Sequence, residues 1–107
     1  MESLQYSDVK TLANCFLGIY YHEDCLEDMV KDIEDYLEDN NFSRDSLVSY
    51  IEKDYETINF FNIYKELSVE FKVEGEETQT IRAYFLAEWI NEGEEAKEKV
   101  IAFSMDD

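Results

Sequence analysis

The sequence predicts an α+β domain in which three N-terminal helices precede a small antiparallel sheet of two or three strands. Up to Ile58 apolar residues recur at three- and four-residue intervals, and after Glu66 they alternate with polar ones. The chain of 107 residues has no proline, three glycines and no Ser- or Gly-rich linker, so it reads as one domain over 1–107.

Val9, Leu12, Ala13, Phe16 and Tyr20 mark the buried face of a first helix. Ser7 or Asp8 could cap its start, and Gly18 falls in its last turn. Leu26, Met29, Val30, Ile33 and Leu37 form the stripe of a second helix. Glu23 or Asp24 suits its positive N-terminal end, and Asn40 and Asn41 suit its termination. Ser43 is a natural N-cap for a third helix carrying Leu47, Tyr50, Ile51, Tyr55 and Ile58 inward. The aromatic run "INFFNIY" either extends that helix or turns the chain.

Leu67, Val69, Phe71 and Val73 then alternate with Ser68, Glu70, Lys72 and Glu74, the pattern of a strand with one buried face. Gly75 supplies a turn, and Ile81, Ala83 and Phe85 alternate in a second strand, giving a hairpin. A helix over Tyr84–Ile90 is the competing reading. "NEGEEAKE" reads as a turn or a frayed helical start, and "KVIAFSM" closes the sheet as a third strand.

The net charge of −18 dominates the chemistry. Solubility in a small domain is met by a magnitude of roughly 2–8. Such a field repels nucleic acid and anionic lipid and attracts basic proteins, so direct nucleic-acid binding is excluded as an expectation. Aromatic residues make up 15% of the chain, which sets it apart from disordered acidic tails. No signal peptide and no membrane-spanning run is read in the sequence, and two cysteines are too few for a disulfide framework. The expectation is a cytoplasmic protein with reduced thiols.

With the apolar stripe of the second helix inward, Asp28, Asp32, Asp35 and Asp39 fall on its opposite side, flanked by Glu27, Glu34 and Glu38. Like charges at such spacing each cost a few tenths of a kcal/mol, roughly, and the cost is repeated along the helix. A solvated face in an acidic protein is one reading. The sharper one is a surface shaped for a basic protein partner, such as the nucleic-acid cleft of a nuclease. The residues assigned to that partner are Glu27, Asp28, Asp32, Asp35 and Asp39, with Glu74, Glu76 and Glu77 as a second patch.

Catalytic and metal chemistry find no support. Cys15, His22 and Cys25 match no standard zinc spacing, and adjacent His22 and Cys25 make no convincing nucleophile and base. Phosphate loops, GxSxG, HExxH and calcium loops are missing from the sequence, so no cofactor and no enzymatic activity is expected. Trp89 and the tyrosines read as core or interface anchors.

The segment Phe16-Leu17-Gly18-Ile19-Tyr20-Tyr21-His22-Glu23-Asp24 resembles the "FLGxYFHQD" segment of bacterial contact-dependent growth inhibition immunity proteins. In those proteins it ends a first helix and precedes an acidic helix and a further helical segment. Tyr21 stands for the usual Phe, Glu23 for Gln, and Cys25 for a frequent Trp, and the resemblance spans roughly residues 9–58. It implies a cytosolic protein that binds the toxic C-terminal domain of a cognate effector, often a nuclease, and blocks its active site. An anti-CRISPR or DNA-mimic inhibitor is the alternative with the same physics. A small-ligand-binding domain of helices on a curved sheet is a second, marked by an enclosed pocket with convergent polar groups.

Overall fold

The first apolar stripe forms α1, Tyr6–Phe16, with Val9, Leu12, Ala13 and Phe16 buried. The computed structural model describes residues 3–22, 26–56, 63–74, 79–92 and 95–106. Gln5, rather than Ser7 or Asp8, stands at the N-cap, and its backbone N–H donates to Asp8 Oδ2 at 2.8 Å. The helix stops before Gly18, which takes φ +85°, a left-handed conformation that suits glycine. The chain leaves as a short strand β1, Tyr20–His22, so Tyr20 belongs to the sheet and not to the helix face.

The second stripe forms α2, Leu26–Asp39, with Leu26, Met29, Val30, Ile33 and Leu37 buried. Its end is a Schellman closure. Phe42 N–H donates to Leu37 C=O at 2.8 Å and Asn41 N–H to Glu38 C=O at 3.1 Å, with Asn41 at φ 64°. Buried Phe42 completes the apolar contact that accompanies this motif.

The predicted third helix is replaced by strand. Ser43 Oγ does accept the Asp45 N–H, at 3.2 Å, but it caps only a 3-10 turn, Arg44–Ser46. The chain then extends as β2, Leu47–Glu56, so Leu47, Tyr50, Ile51 and Tyr55 lie in a strand, and Ile58 lies outside the described residues. The run Leu47–Tyr55 fits helical spacing, yet Val48, Tyr50, Ile51 and Tyr55 are all strand-forming types, and pairing with β3 decides the outcome.

β3 covers Ile63–Val73, β4 Gln79–Glu92 and β5 Glu95–Met105. The first predicted strand is therefore present and longer, and the helical alternative over Tyr84–Ile90 is ruled out because β4 runs through it. Asn91 and Glu92 finish β4, Glu95–Glu98 open β5, and the predicted turn at Gly75 lies outside the described residues. All pairings are antiparallel, in the order β1-β5-β4-β3-β2. Two helices and a five-stranded half-barrel thus stand where three helices and a sheet of two or three strands were expected. Extra residues at Val48 of β2, between Leu47 and Ser49, and at Ile101 of β5, opposite Leu86/Ala87 of β4, bend the sheet, as bulges do.

Both helices lie on the concave face. Leu67, Val69, Phe71 and Val73 meet Ile81, Ala83 and Phe85 there, all buried. Phe16 of α1 touches Phe85 edge-on with ring centres 6.4 Å apart. Fully burying each large apolar side chain contributes about 1.5–3 kcal/mol. The 14 residues of β4 at about 3.4 Å each match the 47 Å long axis of the molecule. A 14-residue α2 extends only about 21 Å, so helix covers part of the sheet's length.

Candidate functional site

The acidic residues of α2 are positioned by their own helix. Its buried stripe fixes the rotation, which leaves Glu27, Asp28, Asp32, Asp35 and Asp39 all exposed. Glu27 and Asp28 sit in the first turn, where the helix dipole favours them. No basic residue occupies the last turn, so Glu38 and Asp39 oppose the dipole at the other end.

Two contacts divide this face. On one flank the Arg44 guanidinium reaches back from the 3-10 turn to Glu34 at 2.9 Å and Glu38 at 3.3 Å. Hydrogen bonding to Glu34, then the charge of Glu38, holds the Arg44 pKa above its ordinary value. On the other flank, buried Tyr21 donates its hydroxyl to Asp32 Oδ2 at 2.8 Å. Burial, then the hydrogen bond and charge of Asp32, pushes the Tyr21 pKa well up. Asp32 is therefore anchored to β1. Glu27, Asp28, Asp35 and Asp39 make the outward ridge, and among the described residues no cation lies within ion-pair distance of any of them.

The second predicted patch is only partly in view. Glu74, just past the end of β3, is half-buried, donates its backbone N–H to Leu4 C=O at 2.8 Å, and lines a groove with Lys72, Ser43 and Asp45. That groove adjoins the turn that follows α2, and Glu76 and Glu77 lie outside the described residues. Cys15 and His22 are exposed, and Cys25 lies outside the described residues. No group of three metal-ligating side chains forms among the described residues.

Sequence reasoning missed where most of the cations gather. Lys53, Lys72, Arg82, Lys97 and Lys99, five of the nine cations, project from the convex face of the sheet. Arg82 pairs there with Glu70 at 3.0 Å, and hydrogen bonding to Arg82 holds the Glu70 pKa below the usual carboxylate value. Strand parity carries the signal for Lys72, Arg82 and Lys99, and for Lys53 only once β2 is read as a strand.

It missed a buried charge pair as well. Lys65 of β3 and Glu98 of β5 both point to the concave side, and Lys65 Nζ meets Glu98 Oε1 at 3.1 Å. Between them, on β4, stands Ala87, whose small side chain leaves room for the reach across two strand spacings. Glu98 is fully buried, and Glu52 approaches Lys65 at 3.9 Å.

A groove of about 640 Å³ opens to solvent where the starts of α1 and β4 meet, lined by Tyr6, Gln79, Thr80, Arg82 and Asp106. Its Arg82 is already engaged by Glu70, and no other cation stands among its described lining residues to fix an anionic ligand. No helix among the described residues is long and apolar enough to cross a membrane. No protein-family model, curated protein or solved structure matches the chain.

Proposed function

We propose that the protein is an immunity-type inhibitor that binds and neutralises a basic bacterial toxin domain, a nuclease above all, in the cytoplasm. It acts by occupation, without chemistry or a cofactor of its own. The observation that carries this reading is the outward ridge of α2, where Glu27, Asp28, Asp35 and Asp39 stand exposed on a helix fixed by its apolar stripe. A nuclease holds phosphate backbones through Lys and Arg, and a rigid row of carboxylates can occupy the same cleft. The resemblance of Phe16–Asp24 to the immunity segment supports the same class, although β2 follows α2 where those proteins continue in helix. Dense charge also suits discrimination between cognate and non-cognate toxins, since a mismatched pair places like charges together.

The test is capture of the toxin domain encoded beside this chain's gene, followed by association kinetics. Asp28→Lys with Asp35→Lys is expected to slow association at least about tenfold at low salt and much less at high salt, with the fold intact by circular dichroism. Wild-type association by that double variant at low salt would remove the ridge from the interface. Absence of any complex at micromolar concentration would remove the reading itself.

A further inference from the structure

The two edges of the half-barrel are finished differently. β1 is three residues long, a short edge of the kind that resists pairing with other chains. β2 is ten residues long and ends the sheet on the other side. Its Val48, Tyr50 and Ile51 remain 51%, 43% and 49% exposed, the largest concentration of exposed apolar side chains on any described strand. Among its described side chains, those of Glu52 and Lys53, together with the irregularity at Leu47/Ser49, guard it.

We infer that two copies of this chain join by antiparallel pairing of β2 with β2, about a two-fold axis at Ile51, and so double the sheet. The register follows from side-chain parity and charge. Opposed residues must share a face, which allows only shifts of two. With Ile51 opposite Ile51, Tyr50 stands opposite Glu52 and Ser49 opposite Lys53. Ser49 Oγ lies 3.4 Å from Glu70 Oε2, so Lys53 of the second copy comes within two strand spacings of the Glu70 carboxylate, which also holds Arg82 at 3.0 Å. That is the reach Lys65 already makes to Glu98 over Ala87. A shift of two one way sets Glu52 against Glu52, and the other way carries Lys53 to Leu47, away from Glu70. Like charges directly opposed are unfavourable, so the Ile51 register is the one that charge selects.

The net charge of −18 on each copy opposes this union. The acidic residues of α2 stand on the side of the helix opposite the apolar stripe that meets the sheet, and repulsion between exposed charges of this kind is screened by salt. Pairing through β2 therefore strengthens as salt rises, whereas docking of a basic partner on α2 weakens. The two interactions fail separately.

The test is the mass of the full chain by light scattering at micromolar concentration, in low and in high salt. A dimer that grows with salt is expected, with Ile51→Lys raising its dissociation constant at least about tenfold. In a Cys15→Ser, Cys25→Ser background, Ile51→Cys is expected to oxidise to a cross-linked dimer. Facing Cα atoms of an antiparallel pair lie about 4.5–5.5 Å apart, within disulfide reach. Glu52→Cys in that background is expected to stay uncrosslinked. A monomer at both salt concentrations overturns the inference, as does a dimer indifferent to Ile51→Lys or equal cross-linking from the two cysteine variants.

Discussion

The two ends of the concave face exclude water by different means. Under the helices, Phe71, Phe85, Val69 and Ala83 fit against Phe16 and the α2 stripe. Beyond Leu67 and Ala87 the lining changes to Lys65, Glu98 and half-buried Trp89. Both ends are dry at their centre, since Phe85 and Glu98 are each almost wholly buried. The apolar end depends on shape, so damage there is graded by the volume removed. The charged end depends on a complete pair, so loss of one member leaves a bare charge in a place water does not reach.

Substitutions at each end separate these cases. Phe85→Ala is expected to have the largest effect, about 5 kcal/mol by denaturant unfolding, because it empties a cavity and removes the ring contacts to Phe16 and Phe103. Lys65→Met is expected to cost about 3–4 kcal/mol, and adding Glu98→Leu to recover most of it. A double variant no more stable than Lys65→Met alone would mean that the pair is not the unit that matters. The smallest expected effect is at the seam, where Tyr21 stands opposite Glu98 on β1. Tyr21→Phe removes the hydroxyl from Asp32 and is expected to cost about 1 kcal/mol at neutral pH.

Tyr21 also carries a pH signature. Its folded pKa is raised above the ordinary value of 10.0, so its contribution is complete below about pH 10 and fades as pH rises further. The unfolded chain then gives up the proton that the folded chain keeps. Thermal melts from neutral to alkaline pH are expected to fall more steeply for the wild type than for Tyr21→Phe, and parallel curves would remove Tyr21 from the account.

The comparison also explains what could be read in the sequence. The apolar end was legible: the stripes of α1 and α2 and the alternation Leu67–Val73 are one-dimensional patterns with a single good solution. The charged end was not, because Lys65 and Glu98 meet only through two strand registers that no local pattern encodes. Leu47–Tyr55 forms a strand despite its helical spacing for a related reason. Its apolar positions satisfy helical spacing, while the deciding contacts, Tyr50 with Val69 and Ile51 with Ser68, lie elsewhere in the chain. β1 is too short, at three residues, to show a period, and Gly18 before Ile19, Tyr20 and Tyr21 is its one local hint. The acidic ridge was legible since one helix builds it, but the anchoring of Asp32 by Tyr21 was not.

β2, β3, β4 and β5 follow one another in the sheet as they do in the chain, whereas β1 pairs with β5, from Tyr20↔Lys99 to His22↔Lys97. During synthesis the helical segment leaves the ribosome first, yet the surface it must cover is completed last. α1 and α2 therefore cannot take their full packing before the last strand is in place. Closure of β1 onto β5 is the late, long-range step that fastens the two halves of the protein together.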